Sequence, residues 1–223
     1  MKHLLAAALL LAAPLQAAPL KVYILSGQSN MQGHANVSTF GSMARNPKTA
    51  PLLKEMTDTA GKPVVCERVW ISYLSEDKTG APAVTEGQLT SGFGASPNKI
   101  GPEFTFGLTM QKHVKEPILL IKTAWGGKSL HTDFLPPSAG GEGAGKYYGL
   151  MMDHVKKVLG NPGKLVPGYN AKDGYELAGF GWFQGWNDRK WGQGAKLDRN
   201  PRSPTLRSCQ GVSVLNSPVP ITT

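Results

Sequence analysis

The stretch Lys21-Val22-Tyr23-Ile24-Leu25-Ser26-Gly27-Gln28-Ser29-Asn30-Met31 decides the fold. Val22 to Leu25 are β-branched, aromatic or apolar, and the run stops abruptly at Ser26-Gly27. It reads as a buried strand that ends in a sharp turn. Two more runs of this kind follow, Ile118-Leu119-Leu120-Ile121 and Leu177 to Gln184, the second ending at Gly185. Helical patterns lie between them. Gly101-Pro102-Glu103 opens one, with Pro at the first helical position. Phe106, Met110 and Val114 then recur every fourth residue, with Phe104 and Leu108 beside them, until Pro117. Tyr147 to Leu159 is amphipathic, with Met151, Val155, Val158 and Leu159 on one face and Lys156-Lys157 on the other; Gly160-Asn161-Pro162 ends it. Val64 to Leu74 is a further strand candidate, and residues 36–63 and 75–100 read as loop. Strands alternating with helices predict an α/β domain with a mostly parallel sheet.

Outside this body the sequence changes character. Met1-Lys2-His3, the uncharged run Leu4 to Ala13, Pro14 and then Ala17-Ala18 follow the pattern of a secretory signal peptide. The apolar run is about half the ~20 residues that a spanning helix needs. The expected organisation is a signal peptide at 1–17, the α/β domain at 18–188 and a divergent basic tail, disordered, at 189–223. The mature chain is expected to be secreted or periplasmic, with no membrane attachment after cleavage. The tail holds Arg189, Lys190, Lys196, Arg199, Arg202 and Arg207 against Asp198, six basic residues and one acidic, so +5 of the formal net charge of +9. The basic excess therefore sits in the tail and not on a face of the body, which argues against nucleic acid as a partner. Cys66 and Cys209 are the only two cysteines, too few for a disulfide framework and without zinc-site spacing. No metal or other cofactor is expected.

In open parallel sheets ligands bind at the carboxyl ends of strands, so the loops after the three apolar runs are the places to look for chemistry. The first, Ser26-Gly27-Gln28-Ser29-Asn30-Met31, can present a serine hydroxyl and a backbone N–H to the same space, a nucleophile and an oxyanion donor together. It is not G-x-S-x-G. The second is Lys122-Thr123-Ala124-Trp125-Gly126-Gly127-Lys128-Ser129-Leu130, where the glycine pair permits close approach of a ligand; the phosphate-loop spacing is absent. The third, Trp182-Phe183-Gln184-Gly185-Trp186-Asn187-Asp188, offers the amides of Gln184 and Asn187, which suit an oxyanion because they donate hydrogen bonds without being proton sources.

Together these segments resemble the SGNH hydrolases, in the form found in sialate O-acetylesterase-like proteins and carbohydrate esterase family 6. Ser26 to Met31 is similar to the first block. Ile100-Gly101-Pro102-Glu103-Phe104 is similar to the second, whose glycine donates to the oxyanion. Lys122 to Leu130 resembles the family's middle segment. Trp182 to Asp188 resembles the third block, the Gly-x-Asn-Asp or Gln-Gly-Glu-Ser-Asp element. The resemblance implies a three-layer α/β/α, flavodoxin-like hydrolase domain and removal of acetyl groups from a sugar such as sialic acid or acetylated xylan. It implies Ser29 as nucleophile, with the Ser29 and Gly101 N–H groups and either Gln184 or Asn187 as oxyanion donors.

One block is missing. The family carries Asp-x-x-His near its C-terminus, the histidine as general base and the aspartate orienting it. The residues three before His34, His113, His131 and His154 are Met31, Met110, Lys128 and Met151, and no histidine follows residue 154. The domain is thus expected to lack its C-terminal part and its activity to be impaired. His131 is the possible substitute base; His154 is expected on a helix surface. The alternative function is a non-catalytic carbohydrate-binding remnant that stacks sugars on Trp125, Trp182, Trp186 and Trp191. A third is binding of an anionic polymer through the basic tail.

Overall fold

The computed structural model describes residues 18–139 and 143–190; the signal segment, Trp191, Cys209 and almost all of the basic tail lie outside the described residues. In chain order the elements are β1 (Leu20–Gly27), α1 (Ser29–Gln32), β2 (Ala35–Asn36), α2 (Phe40–Arg45), α3 (Ala50–Met56), β3 (Val69–Glu76), β4 (Pro82–Gln88), β5 (Lys99–Ile100), α4 (Pro102–His113), β6 (Ile118–Ala124), α5 (Lys146–Leu159), β7 (Tyr175–Phe183) and α6 (Trp186–Lys190). Five strands form one sheet in the order β4-β3-β6-β1-β7. β3, β6, β1 and β7 run parallel, and β4 is antiparallel to β3.

The three apolar runs become β1, β6 and β7. All seven residues of β6 are buried, as expected of a strand covered on both faces. Its alternate side chains feed two cores. Ile118 and Leu120 pack with Leu25, Ile71, Met31, Phe104 and Leu108 under α1 to α4. Leu119 and Ile121 pack with Val22, Val155, Val158 and Leu159 under α5. The mainly parallel sheet is the one that the alternation of elements predicts, and helices on both of its faces give the three layers that the family resemblance implies.

Three sequence expectations change. Residues 36–63 carry α2 and α3, helices of six and seven residues, too short for a 3.6-residue pattern to register. Residues 75–100 carry β4, which forms a hairpin with β3 at the sheet edge. Its side chains are mostly exposed, so it has neither an apolar run nor a clean alternation to reveal it. His154 is buried, not on the helix surface: its Nε2 lies 3.1 Å from Ser72 Oγ, which donates to Glu86 Oε1 at 2.8 Å. A hydroxyl has one proton, so His154 Nε2–H is the donor to Ser72. Burial holds the imidazole below the ordinary histidine range.

Candidate active site

β1 lies between β6 and β7, so the loops leaving all three carboxyl ends are neighbours. Backbone hydrogen bonds lace them together. Trp125 N–H donates to Gly27 O at 3.2 Å, and Gln28 N–H donates to Phe183 O at 3.0 Å. Ser29 is the first residue of α1 and is partly exposed. Its hydroxyl donates to Gln28 Oε1 at 2.9 Å, and Gln28 itself is buried. An amide oxygen is a very weak base, so this contact parks the hydroxyl without activating it.

Of the two amides singled out from sequence, Gln184 is buried and its Nε2 has no hydrogen-bond partner among the described residues. Its Oε1 accepts from Gly185 N–H at 3.2 Å. An unmet buried amide donor costs on the order of 1–3 kcal/mol, so such groups call for an explanation. Asn187 is engaged: its Nδ2 donates to Lys128 O at 3.2 Å. Asp188, buried beside it, accepts the N–H groups of Leu130 and His131, both at 2.9 Å. Asn187 and Asp188 thus hold the loop after β6 against the loop after β7. Sequence reasoning gave Asp188 no role, because its partners, the N–H groups of Leu130 and His131, come from a loop nearly sixty residues away.

The glycines divide differently from the sequence blocks. Gly101 caps α4 and gives its N–H to Glu103 Oε1 at 2.8 Å. It packs on the far end of α1, where a Cβ on Gly33 would stand 2.1 Å from Gly101 Cα. Gly126 is the glycine beside Ser29: a Cβ there would meet Gln32 Oε1 at 3.1 Å and Ser29 Cβ at 4.0 Å. The reason is topological. β6 is the strand beside β1, so the loop that follows it opens next to Ser29.

Beneath the site lies a fully buried ion pair that the sequence did not reveal. Lys122 Nζ donates to Glu103 Oε2 at 2.5 Å, to Phe93 O at 2.7 Å and to Gln32 O at 2.9 Å, and sits 4.4 Å from the centroid of the Tyr73 ring. Burial pushes the Glu103 carboxyl up and the Lys122 amine down; their contact opposes both shifts. The pair ties β6 to α1 and α4. A lysine that continues the apolar run Ile118 to Ile121 was the available signal.

His131 lies on the loop after β6, with its N–H on Asp188 Oδ1; its ring makes no hydrogen bond to Ser29 among the described residues. His34 is exposed, beside Lys99. The tryptophans also separate. Trp125 is 1% exposed and packs against Phe134 and Tyr147, so it cannot stack on a sugar, contrary to expectation. Trp182 packs edge-on to Phe134. Trp186 is open. A cavity of about 710 Å³ lies elsewhere, near Leu20, His113 and Gly174 at the amino end of the sheet, away from all these groups.

Residues 19–197 match the family model described as carbohydrate esterase, sialic acid-specific acetylesterase. No curated protein gives a significant match. Among solved structures, an Arabidopsis thaliana protein determined by X-ray at 1.6 Å resolution is 18% identical, with a TM-score of 0.41. That match covers 76% of this chain and 59% of the other, so this chain spans less than two thirds of its length. The family match takes in more than half of the sequence, including all three loops, and the chain belongs to the sialic acid-specific acetylesterase family of carbohydrate esterases.

Proposed function

We propose that the chain is a serine O-acetylesterase acting on an acetylated sugar. Ser29 Oγ attacks the acetyl carbonyl, its proton passes to the sugar oxygen, which leaves as the free hydroxyl, and water then hydrolyses the acyl-serine to acetic acid and restores the serine hydroxyl. The oxyanion is held by Ser29 N–H, by Gln184 Nε2 and by Gly126 N–H, which takes the place that the sequence blocks give to Gly101. Ser29 N–H and Gly126 N–H have no hydrogen-bond partner among the described residues, whereas Gly101 N–H is spent on Glu103. The observation that carries the reading is the unmet amide of Gln184, buried beside the serine turn.

Turnover is slow in this reading. With no histidine on Ser29 among the described residues, the hydroxyl is a weak nucleophile, and lacking the base of a serine triad costs up to roughly a million-fold in turnover. Acetate release from acetylated xylan and from O-acetylated sialic acid tests it. The chain is expected to release acetate slowly, and Ser29→Ala to abolish that release. Release that survives Ser29→Ala, or none from either substrate, overturns the reading. A binding-only protein, favoured by the Ser29 hydroxyl resting on the Gln28 amide oxygen, would hold the sugar and release nothing. The segment Met1 to Ala17 supports export of the mature chain; a secreted product whose first residue is not Ala18 or Pro19 would speak against cleavage at this site.

A further inference from the structure

We infer that Trp186 is the platform on which the pyranose ring of the acetylated sugar lies; this rests on the esterase reading for the identity of the ligand. Trp186 is 61% exposed, the most open of the large apolar side chains among the described residues. Leu52, Val65, Val84 and Tyr175 are also exposed, but none flanks the Ser29 pocket. Leu52 is on α3, Val65 precedes β3, Val84 is on the far edge strand β4 and Tyr175 begins β7 at its amino end.

The mount of Trp186 is rigid on both sides. Two residues before it, Gln184 is buried with its Nε2 unmet. After it, Asn187 donates to Lys128 O and Asp188 accepts from Leu130 and His131. Trp186 therefore opens α6 at the carboxyl end of β7, between buried Gln184 and the contacts that Asn187 and Asp188 make to the loop after β6. A pyranose has a C–H face and a rim of hydroxyls. The negative face of an indole attracts polarised C–H groups, and its flat area excludes water from them. A ring laid on Trp186 would turn its acetylated rim towards Gln184 and Ser29. Ligand sites combine apolar and aromatic surface with a few placed polar groups that fix orientation.

The test is calorimetric titration with acetylated xylo-oligosaccharides, in a Ser29→Ala background to stop turnover, alongside p-nitrophenyl acetate hydrolysis by chains that retain Ser29. Trp186→Ala is expected to weaken sugar binding about tenfold or more, and Trp186→Phe to retain most of it. Neither should shift the melting temperature, because the indole is largely open to solvent. Equal sugar affinity for Trp186→Ala and its parent, or no sugar binding by the parent at millimolar concentration, overturns the platform. If sugar binding needs Trp186 while hydrolysis does not need Ser29, the esterase reading falls and the platform stands.

Discussion

Two regions a few residues apart treat their polar groups in opposite ways. Around Lys122 every strong group has a partner: the ammonium reaches three oxygens, and the Glu103 carboxylate takes both Lys122 and Gly101 N–H. Around Ser29 the accounts are open. Gln184 Nε2 and Trp125 Nε1 are buried without partners among the described residues, and the serine hydroxyl rests on an amide oxygen. A closed polar network fixes positions, and an open one leaves donors for a ligand. In the proposed function the first region is scaffold and the second is the site, although the sequence motifs run through both.

Removing one partner from the closed region should cost most. Lys122→Met strands Glu103 in the core and is expected to lower stability by about 3–5 kcal/mol. Chemical denaturation would read this; a loss below roughly 1 kcal/mol would mean that the pair is not buried as described. In the open region the cost should fall on rate instead. Gln184→Ala is expected to lower Ser29-dependent acetate release about 100- to 1,000-fold while leaving the melting temperature unchanged or higher, because a buried amide without a partner is lost. Unchanged release would remove Gln184 from the oxyanion pocket.

Asn187 sits on the boundary. Asn187→Ala is expected to cost about 1 kcal/mol, the net worth of one hydrogen bond, with a smaller fall in acetate release than Gln184→Ala. The reverse order of the two would exchange their roles. The smallest effect is in the pH dependence set by His154. Its folded pKa is held below the unfolded value of about 6.5, so the unfolded chain binds the extra proton and stability falls as pH drops through that value. Melting temperatures at pH 7.5 and 5.0 should differ less for His154→Gln than for the parent; equal slopes would contradict the burial of His154.

The sequence was legible where one residue type has one use. Val22 to Leu25 before Ser26-Gly27 reads as a buried strand meeting a turn, and β1 is that strand; the roles of Ser29 and of Gln184 or Asn187 came from the family resemblance and not from this run. The sequence was illegible where a partner had to arrive from far along the chain. Nothing near Glu103 announces Lys122, and nothing near Gly101 announces that its N–H is already taken. β4 escaped because an edge strand has no core face to write a pattern. Gly126 was in view inside Trp125-Gly126-Gly127, but only the strand order β6-β1-β7 sets it beside the serine.

The back-to-back contact of Gly33 and Gly101 has a consequence for how this sequence can drift. A Cβ on Gly33 would overlap Gly101 Cα at 2.1 Å, and one on Gly101 would press Gly33 Cα at 2.9 Å and Glu103 Oε2 at 2.5 Å. Each obstacle is partly main chain, which cannot be trimmed by a second substitution, and Gly33 also sits at φ 89°. Neither position can therefore compensate for the other. A library randomised at both should return glycine at each under selection for folding alone. A glycine held that tightly would look indispensable in any comparison of functional variants, and the cause would be the space between two backbones.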